Sequence, residues 1–385
     1  NNAGKKKARQ SFVFSEFVVY SLVSQPERTV FYVRTIGRLL LSAIFLVLTV
    51  LLVLAAKYAP ALVFSFYPEF SRKLLSAISS VTRAIPLAVW ELLAGLAVLW
   101  LLYTFVRIFT QRRSFLCWLA GIVLSVCVGL FLFVALWGLN HFGPTVGEQL
   151  GLSVREYTKQ ELTDATRYYA AQVNALADDV SRDDQGLARL SSFEELSKQA
   201  GAGYDKLAEH YALFTGSHDP VKKLATWRMF SQFGITGIFV CFTAESCVNP
   251  DTYEVWLPFT MCHELAHRQT VAAEDGANFC AYLACMENES PEFRYSGAIA
   301  AYVYCHNALY QADKTAATEI WGSLKEGVRA DIQAANTHYA QYEGKVQDAA
   351  TKVNDTYLKA FSEEAGVQSY GEAADLLIAW YLEKK

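Results

Sequence analysis

The chain has 385 residues, of which 53% are hydrophobic, and its formal net charge at pH 7 is only -4. This length accommodates a membrane region together with one sizeable soluble domain. Because neither sign of charge dominates, the composition excludes a strongly basic or acidic protein, and we expect no nucleic-acid partner.

Three apolar stretches in the first part of the chain predict transmembrane helices. They cover 39–56, 85–106 and 114–140. At about 1.5 Å per residue, each can cross a hydrocarbon core of about 30 Å. A cleaved signal peptide is the alternative for the first stretch, but that stretch starts late and a second follows closely. Glu91 lies within the second stretch and is either a functional intramembrane carboxylate or an interfacial residue.

Positive residues predict the orientation of these spans. They are Lys5, Lys6, Lys7, Arg9, Arg28, Arg34 and Arg38 before the first span, and Arg107, Arg112 and Arg113 between the second and the third. Both regions are therefore expected to be cytoplasmic. We predict a cytoplasmic segment over 1–38, a membrane region over 39–140 and an extracytoplasmic domain over 141–385. The loop between the first two spans weakens this orientation, because it carries Lys57, Arg72, Lys73 and Arg83.

Six of the eight cysteines lie in the predicted outer domain, which would be an oxidising setting. We expect Cys241 and Cys247 to form a disulfide, with free buried cysteines as the alternative. No CxxC pair occurs, so the cysteines are not expected to be zinc ligands.

The outer domain is predicted to be mostly helical. Apolar residues at intervals of three and four predict helices over 154–178 and 192–214. Glycines, β-branched residues and aromatics over 234–249 instead predict strands, in a hairpin or an irregular pair. Pro258 suits the first turn of a further helix. After Glu292 the chain is again mostly helical.

The motif HELAH predicts a metal site. His263 and His267 are four residues apart, so on a helix both imidazoles project from one face and can bind one tetrahedral metal ion. Glu264 follows the first histidine directly. In an HExxH helix this carboxylate lies beside a zinc-activated water and serves as its general base.

A catalytic zinc needs a third protein ligand and one open position. If the first helix ends near Gln269, Glu274 would begin a second helix and face back to the metal. Asp275 is the weaker candidate, and an acidic first helical turn is the alternative for both. Asn278 lies on the same helical face as Glu274 and could hydrogen-bond a ligand.

Several separated motifs resemble a known family. They are HELAH, EDGANF, CAYLAC, GITGIFVCFTAESCVN, LPFT, VNDTYLKA, GVQSYGEAADLLIAWYL and the WGLN at 137–140. Together they are similar to the bacterial domain of unknown function family numbered 3810, regarded as membrane-anchored zinc metallopeptidases. The resemblance covers most of the chain. It implies one Zn²⁺ per chain, a peptide or protein substrate, for example of the cell envelope, and attachment to the lipid bilayer.

The fold class that follows is mainly α. Three N-terminal transmembrane helices precede a zincin-like, predominantly helical extracytoplasmic domain with a small β element. The family's usual wording is closer to EDEAN, whereas this chain has Gly276 at the third position. If the metal carboxylate belonged to that position, this chain would lack it. If it belongs to the first position, Glu274 is retained, and we expect this second case.

Two further features of the site are expected. In related zinc peptidases a strand beside the active helix pairs with the substrate backbone, and the stretch GIFVCFTAE over 237–245, with Phe242, Thr243 and Glu245, is the candidate, a core strand being the alternative. An oxyanion donor is also expected opposite the general base. His306 and Tyr357 are the candidates, although aromatics at helical spacing are more often part of the core.

The sequence leaves other functions open. A noncatalytic zinc-binding membrane sensor or envelope assembly factor would keep the metal or only the fold. An intramembrane peptidase would carry the HExxH within a span. The polar residues after His267, RQTVAAEDGAN, disfavour this last case.

Overall fold

The structure is a computed structural model that describes residues 26–111, 114–360 and 369–385. Most of the predicted cytoplasmic segment, together with Arg112 and Arg113, lies outside the described residues.

Three helices near the N-terminus are long and apolar enough to cross a membrane, as predicted. They are α1 (Pro26–Tyr58), α4 (Val89–Thr110) and α5 (Phe115–Leu136). The second helix begins later than expected, since 85–87 form a bend around Pro86, whose ring supplies no backbone donor. The third ends earlier, and a short 3-10 helix over Gly138–Phe142 follows it.

The chain divides into two compact units. The first comprises 1–53 and 94–135, and the second comprises 54–93 and 136–385. Within the first unit, the rings of Phe45 and Phe131 lie 5.4 Å apart. The second unit therefore contains the loop between the first two spans in addition to everything that follows the third.

This loop forms two helices that the sequence analysis did not anticipate, α2 (Pro60–Phe64) and α3 (Tyr67–Thr82). The helix α3 is amphipathic and buries Leu75 completely. Arg72 is also buried, and its Nη1 donates to the carbonyl oxygen of Leu213 over 2.6 Å. The loop thus packs against the part of the second unit that follows the third apolar helix.

Helices dominate the remainder of the second unit. They are α6 (Val146–Leu150), α7 (Lys159–Leu176), α8 (Phe193–Gln199), α9 (Ala202–Ala208), α10 (Trp227–Gln232), α11 (Leu257–Arg268), α12 (Glu274–Glu287), α13 (Pro291–Ala312), α14 (Lys314–Gly322), α15 (Glu326–Ala340), α16 (Lys345–Ala360) and α17 (Ser369–Lys384). The mainly helical class is therefore confirmed. The helix predicted over 154–178 starts at Lys159, because Thr158 and Glu161 form a capping box.

The helix predicted over 192–214 is two helices, α8 and α9, separated at Ala200 and Gly201. A side chain at Gly201 would meet the carbonyl oxygen of His218 at 2.4 Å. Gly203 lies so close to the backbone of Ala284 that any Cβ there would overlap it. Gly203 thus lets α9 cross α12 at short range, and Gly201 lets the start of α9 approach His218.

The small β element is confirmed as a three-stranded sheet. Its strands are β1 (Lys222–Lys223), β2 (Gly237–Val240) and β3 (Glu245–Val248), in the order β1-β3-β2. The strand β1 is parallel to β3, and β2 is antiparallel to it.

The predicted disulfide is wrong, because all eight cysteines are free thiols. Cys247 lies opposite Ile238 in the hairpin, whereas Cys241 belongs to the turn beyond the last paired residue. The two are therefore not cross-strand neighbours. Burial raises the pKa of both thiols to about 12.

The core of the second unit surrounds α11. The helices α12 and α13 pack against it on one side, and β2 and β3 on the other. The helix α7 packs on α13, and α17 closes the group by contacting α12 and α13. The HELAH motif thus lies on a largely buried helix.

Candidate metal centre

The turn between α11 and α12 brings the three predicted ligands together. Pro258 occupies the first turn of α11, and the helix ends at Arg268. Thr270 then adopts a positive φ of 74°, which reverses the chain. Glu274 is the first residue of α12 and lies back over the two imidazoles.

The donor atoms of His263, His267 and Glu274 all lie within 4.8 Å of one another. The two Nε2 atoms are 3.1 Å apart. The carboxylate oxygens of Glu274 lie 3.3 Å from Nε2 of His263 and 3.8 Å from Nε2 of His267. A tetrahedral Zn²⁺ with bonds of about 2.0–2.1 Å separates its ligand atoms by about 3.3 Å, so the spacing suits this ion.

Hydrogen bonds to the opposite ring nitrogens decide which tautomers can bind a metal. Nδ1 of His263 lies 2.9 Å from Oδ1 of Asn278, and Nδ1 of His267 lies 2.7 Å from the carbonyl oxygen of Val271. Both partners only accept, so both Nδ1 atoms carry the proton and both Nε2 lone pairs face inward. Two lone pairs directed at each other and at a carboxylate repel one another, and either a proton on His263 or a shared metal ion would relieve that repulsion.

Burial and charge shift the pKa values of the three groups in different directions. Burial lowers the pKa of His267 to about 4. Burial would also lower the pKa of His263, but the hydrogen bond to Glu274 outweighs it and the pKa is raised. For Glu274 burial acts upward, and the two histidines outweigh it and lower the pKa to about 2. The carboxylate is therefore held ionised beside the imidazoles.

Glu264 is buried with a carboxylate oxygen that has no partner among the described residues. Its side chain is only 4% exposed, and Oε2 makes no hydrogen bond. Burial raises the pKa of Glu264 to about 8. A buried carboxylate normally has its hydrogen bonds satisfied, so this vacant acceptor is typical of a group that faces a water molecule or substrate.

The sheet fixes Glu264 from the other side. Ser246 Oγ on β3 donates to the backbone oxygen of Glu264 over 2.7 Å. A Cβ at Gly237 on β2 would lie only 2.4 Å from Oε1 of Glu264. Glycine is therefore required where the strand passes the carboxylate.

The segment after the third span also reaches the site, which the sequence analysis missed. Trp137 Nε1 donates to the backbone oxygen of His267 over 2.9 Å, and the two rings lie 5.9 Å apart. His141 packs on Trp137 with ring centroids 5.2 Å apart, and its Nε2 lies 3.2 Å from the hydroxyl of Tyr357. The WGLN motif was the available signal, because His141 directly follows it.

The candidate oxyanion donors therefore differ in placement. Tyr357 joins the cluster of Trp137 and His141, beside His267. His306 instead contacts Tyr302, Tyr310 and Trp321 at the packing face of α13.

The predicted substrate stretch over 237–245 comprises β2, the turn after it and the first residue of β3. Phe242 and Thr243 lie in the turn, and Glu245 lies on β3. The Glu245 carboxylate is buried and accepts from the backbone nitrogens of Val89 and Trp90 and from Lys222 Nζ. Its side chain thus holds the first turn of α4.

The residues after Glu274 contribute no further donor to the group of three. Asp275 is not among the donors within 4.8 Å of one another. A Cβ at Gly276 would lie 2.7 Å from Val146 and 3.2 Å from Val271, so a side chain there would meet these valines. The geometry favours the first position of the motif, rather than the third, for a metal carboxylate.

Comparisons with known proteins identify a family, and the description of that family names no activity. A family model described as "Protein of unknown function (DUF3810)" matches residues 65–378. No curated protein and no solved structure matches the chain. The matched range includes α3, the segment after the third span and every residue of the candidate centre.

Proposed function

We propose a function from the site itself, because this chain belongs to DUF3810, a family described only as a protein of unknown function. The proposal is a membrane-anchored zinc metallopeptidase with a zincin-like catalytic domain. The observation that carries it is the combination of three inward donors with a buried general-base candidate, Glu264, whose Oε2 has no partner among the described residues.

The residues present fit a zinc ion. His263, His267 and Glu274 would hold it through two nitrogens and one oxygen, which is a common catalytic ligand set. When bound, Zn²⁺ supplies Lewis acidity that polarises a carbonyl and makes water more acidic. Asn278 and the carbonyl of Val271 keep the protons of the two imidazoles on Nδ1.

Glu264 would move the proton. Burial raises the pKa of Glu264, so that its ionised carboxylate is a stronger base toward water than an exposed one. The same group would then donate that proton to the leaving amine as the peptide bond breaks. Gly237 and Ser246 hold its side chain and backbone in place.

The edge of the sheet offers a position for the substrate backbone. Among the residues that the structure describes, the strand β2 pairs with β3 and has no strand on its other edge, and it contacts α11. An extended peptide added to the other edge would pass the Glu264 carboxylate at Gly237. The proposed substrate strand is therefore β2, the first part of the stretch 237–245, and not the turn with Phe242 and Thr243.

The proposal places the site on the extracytoplasmic side, with a peptide or envelope protein as substrate. The basic residues before the first span and between the second and third support this orientation. An intramembrane site has little support, because α11 is only 12 residues long and is not one of the three candidate spans among the described residues.

The test uses the full chain purified in detergent. Wild-type protein is expected to bind about one zinc ion per chain and to cleave members of a peptide library. Glu264→Gln should keep the zinc and lose cleavage, since the amide cannot accept the proton. Glu289→Gln is the matched control, because Glu289 is exposed and lies outside the site.

The competing function is a noncatalytic zinc-binding sensor or assembly factor. Zinc held with a closed shell of four protein ligands, with no peptide cleaved, would support that function and refute the peptidase. Absence of zinc from the wild-type protein after metal reconstitution would refute both.

A further inference from the structure

The candidate centre is tied to the ends of the membrane helices. Trp137 is the first residue after α5, and it both donates to the backbone of His267 and packs against its ring. The ring separation of 5.9 Å corresponds to the length of about two residues of extended chain. The third span therefore ends within a few residues' length of the proposed metal ligands.

A second connection comes from the loop between the first two spans. Arg72 on α3 donates to the carbonyl oxygens of Leu213 and Gln269, the latter just after the end of α11. Ser71 on the same helix donates to the carbonyl oxygen of Leu136, the last residue of α5. One helix thus connects the end of the third span to the end of the metal-binding helix.

The start of the second span provides a third connection. The Glu245 carboxylate on β3 accepts from the first backbone nitrogens of α4 at 2.8 and 2.9 Å. In return, Glu91 near the start of α4 accepts from the backbone nitrogens of Ala225 and Thr226. Glu91 therefore orders the turn before α10. The sheet beside α11 is therefore fixed to the start of a span.

The same loop exposes a concentrated set of large apolar side chains. Between 58 and 87 the structure exposes Tyr58, Leu62, Phe66, Phe70, Val81, Ile85 and Leu87. Phe242 is exposed beside Thr243, whose carbonyl oxygen accepts from Thr82 Oγ1. Over the much longer stretch 143–359 exposed apolar residues are scattered singly. A cluster of this kind marks an interaction surface.

The bilayer is the occupant that chain connectivity selects for this surface. The segment 59–88 begins directly after one candidate span and ends directly before the next. Both of its ends must therefore lie at the same face of the membrane. The buried face of α3, with Leu75, packs within the second unit, whereas Phe70 and Val81 are exposed and available to the headgroup boundary. Lys73, with 76% of its side chain exposed, suits anionic headgroups.

We propose that 59–88 lies on the membrane surface and holds the candidate metal centre there, so that the substrate is the membrane-proximal segment of a lipid-anchored or transmembrane polypeptide. The substrate class rests on the proposed peptidase function. The position at the surface does not.

The first experiment measures depth in the membrane without using activity. Spin labels are attached at Val81→Cys and Val353→Cys, which are 72% and 71% exposed. The background is Cys127→Ser, because the other seven thiols are buried. The full chain is reconstituted in vesicles of phosphatidylethanolamine and phosphatidylglycerol. For each spin label, the collision rate with oxygen, which dissolves in the bilayer, is then compared with the collision rate with a water-soluble nickel chelate.

We expect the label at Val81 to collide more often with oxygen and the label at Val353 to collide more often with the nickel chelate. Phe66→Cys is a second position in the same surface, in case one variant fails to fold. Equal accessibility to the nickel chelate at 66, 81 and 353 would overturn the surface proposal, whatever the activity of the protein.

The second experiment tests the substrate class. One pool of random dodecapeptides is presented to the reconstituted protein in three forms. In the first form the peptides are joined directly to a palmitoyl anchor, in the second they are joined to it through a 20-residue glycine-serine spacer, and in the third they are free in solution. We expect cleavage to be at least tenfold faster for the directly anchored pool, with cuts in the first few residues.

Equal rates for the three forms would refute the membrane-proximal substrate and leave the peptidase standing. If no form is cleaved while the Val81 label lies in lipid, the peptidase proposal and its substrate class fail and the surface position is supported. The two failures are therefore distinguishable.

Discussion

Replacing Gly237 by alanine should disturb Glu264, the proposed general base, while leaving the proposed metal ligands untouched. The new Cβ would lie 2.4 Å from Oε1 of Glu264, 2.7 Å from its Cγ and 2.8 Å from its Cδ. Ordinary contact starts at 3.4 Å, so the carboxylate must move by the difference, 3.4 minus 2.4, or about 1 Å. Because Cγ and Cδ are also too close, rotation of the carboxylate alone does not relieve the overlap.

A displacement of about 1 Å at a catalytic group costs on the order of 100-fold in rate, which corresponds to about 2.7 kcal/mol. We therefore expect Gly237→Ala to bind zinc with wild-type stoichiometry and to cleave a library peptide about 100-fold more slowly. The matched control is Gly322→Ala, whose Cβ would meet no atom within 4 Å. Rates within twofold of wild type for Gly237→Ala, with zinc retained, would refute the assignment of Glu264 as the base.

Other parts of the structure give predictions of metal affinity, stability and pH dependence. Asn278→Ala removes the acceptor that fixes one imidazole and should weaken zinc affinity by about 10–100-fold in a chelator competition. Trp137→Phe removes one buried hydrogen bond and should lower the free energy of unfolding by about 1 kcal/mol in urea titration, so an unchanged midpoint would contradict it. Lys222→Met leaves the buried Glu245 carboxylate without its cation and should cost about 3–5 kcal/mol in the same assay. Burial raises the pKa of Asp219, but its hydrogen bonds outweigh this and the net shift is downward. The stability that the Asp219 carboxylate contributes to the fold is therefore present above the ordinary pKa of about 3.9 and is lost as the pH falls through the folded-state pKa. We expect Asp219→Asn to make the melting temperature less sensitive to acid in thermal melts.

The part of the site that depends on local spacing was predictable. The interval between His263 and His267 places both rings on one helical face, and the polar turn after Gln269 separates α11 from α12. These two features are sufficient to select Glu274 as the third donor. Its role as a zinc ligand stays a prediction until a metal is measured.

Long-range contacts were not predictable in the same way. Trp137 and His267 are 130 residues apart, and no periodic pattern connects them. The amphipathic helix α3 was read as a loop, because its buried face contacts only distant parts of the chain, such as Leu213. The predicted disulfide failed for a related reason, since the spacing of Cys241 and Cys247 does not determine the register of a hairpin.

The contacts of the loop also bear on the orientation of the chain. Three of the four basic residues that weakened the extracytoplasmic assignment have partners elsewhere in the folded second unit. Arg72 donates to Leu213, Arg83 pairs with Asp219, and Lys57 lies over the ring of Phe142. A basic residue that stabilises the folded domain is explained by that contact and gives no information about the side of the membrane. The basic residues before the first span and after the second therefore carry more weight as a topological signal.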